Sequence, residues 1–262
     1  MLLPTGDITL AKGYASGSQR ARIITEAWVK QHGYCIACES DRLRQTSANT
    51  QARDFECLLC GHAYELKSSA SAFGKRITDG AYASMMRRIN NATVSSLLLL
   101  QYTPAWEIAN LSVIHDTLIT SKVIEQRKAL APTARRAGWV GCNILLSCIP
   151  PEGRIPLVIN GQSIPKHESR ARFAVTERLS TLSPISRGWA ASVLRLLHGI
   201  GKERFSIDDA YSLELELSSL FPKNRHVRPK IRQQLQVLRG AGLITFESRG
   251  YYRFTNSGGG HK

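Results

Sequence analysis

The sequence predicts an α/β domain carrying a four-cysteine zinc knuckle, followed by a winged helix, with the domains spanning residues 1–183 and 184–262. Three observations carry that reading. Two CxxC pairs, Cys35/Cys38 and Cys57/Cys60, enclose the 18 residues 39–56, a spacing suited to a four-thiolate zinc site. Helical and strand-like apolar periods mix over the first part of the chain. Three helical periods and a short hairpin then close it, in the element order of a winged helix-turn-helix.

Along the chain, SQRARIITEAWVK (residues 18–30) places Ile23, Ala27 and Trp28 at helical spacing, with Ser18 as the capping residue. Residues 54–68 hold β-branched or aromatic side chains and a turn at Gly61, so two short strands should meet at the zinc knuckle. In GAYASMMRRIN (80–90) the core set is Tyr82, Met85, Met86 and Ile89. Strand-like runs follow at 96–103, 108–114, 141–146 and 154–160. Residues 161–184 are polar, include Pro165 and Pro184, lack an apolar period, and read as the domain boundary.

Beyond it, RGWAASVLRLLH (187–198) puts Trp189, Val193, Leu196 and Leu197 on one side, with Gly199 as the stop. Residues 208–220 form a second helix. Pro229 opens the third, in which Ile231, Leu235 and Leu238 recur before Gly240. LITF, the turn ESRG and YYRF make the wing, and NSGGGHK after Thr255 reads as a disordered end.

Lys and Arg number 35 against 20 Asp and Glu, a net charge of +15 with a pI near 9.9. The excess is shared: 22 basic against 14 acidic residues up to Ser183 (+8), and 13 against 6 beyond it (+7). Such a balance fits a polyanionic partner on both domains. A hydrophobic fraction of 43% with 21% charged excludes wholesale disorder. The most apolar stretch, around Leu97–Leu100, is far short of the roughly 20 residues that span a bilayer, so no membrane association is expected. MLLPTGD offers neither a basic leader nor an apolar run, which predicts a cytoplasmic protein.

In that compartment cysteines serve as metal ligands or inert core. Cys35, Cys38, Cys57 and Cys60 would saturate a tetrahedral Zn²⁺ and leave no position for water, making the ion structural. Cys142 and Cys148 stand alone and are assigned to the core, and His62 to the surface or to support of a ligand.

For chemistry, Asp54, Glu65 and Lys67 stand out. Residues two apart on a strand share a face, so Glu65 and Lys67 emerge together while Tyr64 and Leu66 face away. Folding the hairpin brings Asp54 opposite Glu65. Two carboxylates and the backbone carbonyl of Leu66 form a hard oxygen site that suits Mg²⁺. Beside it a lysine holds the attacking water, an arrangement for hydrolysing phosphodiesters.

Two surfaces suit DNA. Residues 122–136 hold Lys122, Arg127, Lys128, Arg135 and Arg136 against Glu125 alone, and Trp139 follows; its indole either stacks on a base or belongs to the core. On the third helix of the winged domain Lys230, Arg232, Gln233 and Gln236 leave the apolar stripe, and Arg and Gln pair bidentately with guanine and adenine edges. Arg249, in the wing turn, is placed for a phosphate or the minor groove.

SQRARIITEAWV, DFECLLCGHAYELKS, DGAYASMMRRI, KALAPTARRAGWVGCNI and KIRQQLQVLR resemble the corresponding stretches of DpnI-type methyl-directed restriction endonucleases, over roughly Tyr14 to Phe254. The resemblance implies a restriction-endonuclease-like PD-(D/E)xK core with a zinc-binding insertion, joined to a winged helix. It also implies a type II enzyme, Mg²⁺-dependent, that cleaves double-stranded DNA at adenine-methylated GATC with both domains reading the site. Carried over, the catalytic acids fall on Asp54 and Glu65, the lysine on Lys67, the zinc ligands on Cys35, Cys38, Cys57 and Cys60, and a methyl-adenine contact on Trp139. Arg53 stands where the motif's name has proline. Glu26 falls where many such enzymes hold an accessory acid. A monomer is expected.

The competing reading is a non-catalytic zinc-ribbon and winged-helix regulator. An acidic pair beside a lysine on one strand face argues against it, because a repressor needs no such group. A nuclease for branched or damaged DNA fits less well, since a winged helix reads intact grooves.

Overall fold

The computed structural model describes residues 3–4, 8–47, 50 and 52–255. In chain order it contains β1 (Leu3–Pro4), α1 (Gly17–His32), β2 (Arg44–Gln45), β3 (Phe55–Glu56), β4 (Ala63–Ser69), β5 (Ile77–Ala81), α2 (Tyr82–Asn90), β6 (Ser96–Tyr102) and β7 (Glu107–Ile114). Then come β8 (Ile124–Gln126), β9 (Gly141–Ile144), β10 (Arg154–Ile159), β11 (Gln162–Ser163), α3 (Lys166–Glu177) and α4 (Pro184–Gly199). The chain closes with β12 (Arg204–Ser206), α5 (Ile207–Tyr211), α6 (Glu214–Leu220), α7 (Val227–Gly240), β13 (Ile244–Ser248) and β14 (Tyr251–Phe254). The tail assigned to disorder, residues 256–262, lies outside the described residues, as does part of MLLPTGD. Among the described residues no helix is long and apolar enough to cross a membrane.

Two compact units result, and neither is a continuous stretch. The first comprises Met1–Ile77, Thr93–Asp116 and Gly153–Ala174; the second comprises Thr78–Ala92, Thr117–Glu152 and Val175–Lys262.

The first unit is built on an eight-stranded mixed sheet ordered β11-β10-β7-β6-β4-β3-β2, with β1 on β7. Its centre is the parallel pair β4–β6, Tyr64 facing Ser96 and Lys67 facing Leu99. Residues 96–100 of β6 are all buried, as a strand covered on both faces requires. On β4 burial and half-burial alternate less cleanly because its polar side chains line the site described below. α1 packs Trp28 and Val29 into a core with Phe55, Tyr64, Leu98, Val113 and Phe173.

The helix starts two residues earlier than expected. Ser16 precedes the first helical residue, and its hydroxyl bonds Ser18 Oγ at 2.8 Å without capping a backbone amide. The buried stripe is Ala21, Ile24, Thr25, Trp28 and Val29, with Ile23 and Ala27 only half-buried. Thr25 enters the core because its hydroxyl donates to the Ala21 carbonyl at 2.8 Å, a satisfied polar group that a purely apolar period overlooks.

The 161–184 segment is not structureless either. It holds α3, whose inward residues Ser169, Phe173 and Thr176 are fully buried. The helix escapes an apolar-period search because two of those three are hydroxyl residues. Ser169 donates to the Pro156 carbonyl at 3.0 Å and Thr176 to the Glu152 carbonyl at 3.2 Å.

The second unit contains α2, the small sheet β5-β9-β8 and the winged helix. In α2 Met85 and Ile89 are buried, while Tyr82 and Met86 are half-buried. Ser183 caps α4 by accepting from the Ser186 amide, with Pro184 in the first turn. α4 runs on through Gly199, the expected stop. The expected second helix is two: α5 opens on a Ser206/Asp209 capping box and ends at Tyr211, and α6 begins at Glu214. Buried Leu213 sits at the break. The wing has three strands, β12-β14-β13, because residues 204–206 pair with 251–253.

Candidate active site and zinc centre

The β3–β4 hairpin organises both centres. Its pairing sets Phe55 against Tyr64 and Glu56 against Ala63, so one step back Asp54 lies opposite Glu65. Between the strands the chain turns through Cys57-Leu58-Leu59-Cys60-Gly61, where Gly61 adopts φ +74°, a conformation that favours glycine.

Cys35 and Cys38, from the loop after α1, meet Cys57 and Cys60 at this tip. The four sulfurs all lie within 4.8 Å of one another, with Cys35–Cys60 at 3.6 Å and Cys38–Cys57 at 3.5 Å. A tetrahedral ion with Zn–S bonds of about 2.3 Å places its sulfurs about 3.8 Å apart. The cluster can therefore bind zinc. Arg170 of α3 wraps the first loop, donating to the carbonyls of Cys35 and Ser40 (each 3.1 Å) and to Glu39 (2.6 Å). Nothing in the spacing of residue 170 signals this.

His62 lies outside the sulfur cluster and off the surface. Its ring sits edge-on to Tyr64 and Phe173, and Nε2 lies 3.0 Å from Ser96 Oγ, which donates to Asp116 at 2.8 Å. Burial holds the His62 imidazole below its usual pKa. Burial alone would raise Asp116, but bonds from His115 and Ser96 outweigh it and hold this carboxyl at about 2.

The hairpin carries the three expected groups, Asp54 bonded to the main chain of β4 and Glu65 and Lys67 bonded to each other. The Asp54 amide donates to the Tyr64 carbonyl at 2.8 Å, and the Leu66 amide donates to Asp54 Oδ2 at 2.7 Å. Lys67 Nζ donates to Glu65 Oε1 at 2.6 Å. Glu65 is only 8% exposed, so its carboxylate stands in a medium where charge interactions are strong.

Beside Asp54 opens a cavity of about 120 Å³ lined by Arg22, Glu26, Gln45, Thr46, Ser47 and Thr50. Glu26 accepts from Arg22 Nε at 2.6 Å and from Gln45 at 2.9 Å. The Glu26 hydrogen bond and charge raise the Arg22 pKa. The i,i+4 spacing of Arg22 and Glu26 was the available signal for this wall; Gln45 gave none. The hollow thus has carboxylates of Asp54 and Glu26 in its wall, and the Lys67 ammonium lies against Glu65.

The chain matches the family model DpnI, described as the Dam-replacing family, over residues 4–182, and DpnI_C, the Dam-replacing HTH domain, over residues 185–254. This chain belongs to the DpnI family. Membership brings methyl-directed DNA cleavage in general, and with the HTH domain, DNA binding.

In this DpnI-family chain the expected reader helix corresponds to α7 of the HTH domain. Arg232, Gln233 and Gln236 are exposed, while Ile231, Gln234, Leu235 and Leu238 are buried. Lys230 is partly withdrawn: it donates to Gln233 at 2.7 Å and lies 5.8 Å from the Trp189 ring. Arg249 is exposed in the wing turn.

Within residues 122–136, Lys122 takes no part in an open basic surface. Its ammonium bonds the Leu220 carbonyl and sits 4.6 Å from the Phe221 ring. Arg127, Lys128, Arg135 and Arg136 are exposed. Trp139 is half-buried, with its ring over Gly141 and the Arg136 guanidinium 4.6 Å from its centre. A Cβ on Gly141 would lie 2.8 Å from two ring carbons, so glycine there is what lets the indole lie down.

Proposed function

We propose that this chain is a type II restriction endonuclease with a PD-(D/E)xK core that hydrolyses double-stranded DNA at adenine-methylated GATC, with Mg²⁺ at the acid pair and structural zinc at the four cysteines. The observation that supports the reading is the hairpin pairing that sets Asp54 opposite Glu65, with Asp54 bonded to the Leu66 amide at 2.7 Å and Lys67 bonded to Glu65 at 2.6 Å. Asp54, Glu65 and the carbonyl of Leu66 would hold the magnesium. N–H and C=O of one strand residue leave by the same edge, and the Leu66 amide faces Asp54. When bound, the ion stabilises charge growing on the phosphate oxygens.

The chain's own groups do the rest. Lys67 Nζ, already against Glu65, orients the attacking water and stabilises the negative charge that grows on it as its proton passes to bulk solvent. Asp54 is kept from swinging by the Leu66 amide. Glu26 and Arg22 wall the hollow in which the scissile phosphate would rest, and the exposed Arg135 and Arg136 would contact backbone phosphates.

Sequence reading is divided. Residues 1–183 form the nuclease domain and residues 184–262 the reader, a division supported by the limits of the two family matches. In the reader Lys230, Arg232, Gln233 and Gln236 face the major groove, with Arg249 on the backbone. Trp139 offers an apolar surface to an adenine methyl, worth about 0.8 kcal/mol or roughly fourfold in preference. A second methyl read by α7 would multiply that factor. This substrate is met in the cytoplasm, and one protomer carries every part, so a monomer suffices.

The test is digestion of one plasmid prepared from methylating and non-methylating hosts, with Mg²⁺, by the wild type and by Glu65→Ala and Lys67→Ala. Cutting of the methylated plasmid by the wild type alone is expected. Binding without cutting by the wild type would favour a regulator.

A further inference from the structure

Tyr64 stands between the two centres. Its ring is 1% exposed. Its hydroxyl accepts the Ile36 amide at 3.0 Å and lies 3.2 Å from Cys35 Sγ. With a zinc-bound thiolate at position 35, carrying no proton, the phenol proton is the one that fills that contact. The main chain of the same residue accepts the Asp54 amide at 2.8 Å. The next residue is Glu65, whose side chain leaves on the opposite face towards Lys67. The hairpin is closed three residues beyond Asp54 by Cys57, whose amide donates to the His62 carbonyl at 2.9 Å.

We propose that Tyr64 is a positioning residue that pins the zinc centre to the acid pair, so that bound zinc sets the register of Asp54 against Glu65. A strand that slips one residue turns every side chain to the other face, and β3 is only two residues long, too short to hold its own register by ladder bonds. The pin supplies what the ladder lacks. One end of β4 is tied through a hydroxyl to a ligand sulfur, and the other strand is tied to the same ion through Cys57. Arg170 holds the Cys35 loop from outside, so the loop is a fixed post and the tyrosine the part that reads it. Zinc, on this view, acts on divalent-cation binding at the acid pair while touching none of its oxygens.

The inference rests on the metal sites proposed above, and the test separates the two. Mn²⁺ binding to the zinc-loaded full chain is followed by electron paramagnetic resonance, with Asp54→Ala as the reference for the acid site. Tyr64→Phe should weaken Mn²⁺ binding about tenfold, the lower end of what loss of a group supporting a metal ligand costs. After cobalt substitution the same variant should shift the sulfur-to-metal charge-transfer band to lower energy, because a hydrogen bond to the thiolate has gone. Equal Mn²⁺ affinity in wild type and Tyr64→Phe overturns the pin even if the cobalt band moves. No Mn²⁺ binding by the wild type, or binding equal to that of Asp54→Ala, overturns the acid-pair reading and the pin with it. If Tyr64→Phe does not fold, wild type loaded with the larger Cd²⁺ gives the answer: an altered Mn²⁺ affinity supports the coupling, and an affinity equal to that of the zinc form overturns it.

Discussion

The β3–β4 hairpin and helix α7 both carry the polar side chains that the proposed function assigns to DNA, and they hold them in opposite ways. On the hairpin every charged group is already engaged: Asp54 with the Leu66 amide, Glu65 with Lys67, and Glu65 is nearly buried. On α7 the side chains of Arg232, Gln233 and Gln236 stand in solvent over a packed stripe of Ile231, Leu235 and Leu238. Chemistry needs groups fixed before the substrate arrives, because reorganisation during the reaction adds to the barrier. Reading needs groups that settle on base edges and are compared between sequences. The difference makes the hairpin intolerant of small changes and the helix tolerant of them.

The largest effect should come from the hairpin. Lys67→Ala is expected to lower cleavage by about two to three orders of magnitude while leaving binding of methylated duplex, measured by fluorescence anisotropy, within a factor of a few. A variant that lost binding and cleavage in step would erase the contrast. On the reader, Gln233→Ala should cost about 1–3 kcal/mol of discrimination at one base position, with the cleavage rate at saturating protein unchanged. A uniform loss across all sequences would instead make Gln233 a backbone contact.

A third prediction concerns the frame behind the hairpin. Asp116 has its pKa lowered from 3.8 to about 2, so its native contacts stabilise the fold above pH 4 and that contribution disappears as pH falls through 2. Asp116→Asn should lower stability by about 2 kcal/mol at neutral pH, and denaturation curves of the two proteins should converge towards pH 2. A constant difference at all pH values would mean that the charge is not what matters.

The smallest effect tests Trp139. Gly141→Ala puts a methyl where the indole lies, and the preference for methylated over unmethylated substrate should fall by about fourfold with total activity little changed. An unchanged preference would remove Trp139 from methyl reading.

Much of this was legible in the residues. The CxxC spacing found the sulfur cluster, and the two-residue period of β4 put Glu65 and Lys67 on one face because that period is a geometric property of any strand. Helix α7 was visible since its inward side is aliphatic. What escaped had a physical reason in each case. α3 hides its buried face behind Ser169 and Thr176. β5 carries Asp79 and Gly80, residues that strands seldom use. The break between α5 and α6 occurs at Ser212 and Leu213, neither of which ends a helix by its own chemistry. The interleaving of the two compact units is a matter of contacts distant in the chain, which periodicity does not register. In the site, Arg22, Gln45 and Arg170 were missed because their roles come from neighbours brought in by the fold.

The grip of Arg170 on the Cys35 loop has a consequence in time. The cysteines emerge from the ribosome early, but the residue that clamps the first pair follows 135 positions after Cys35. At ordinary synthesis rates that interval is on the order of ten seconds. A nascent chain can gather its four sulfurs before then, but the loop is locked only once α3 has been made. The sulfur cluster and its outer clamp are thereby completed at separate moments of synthesis.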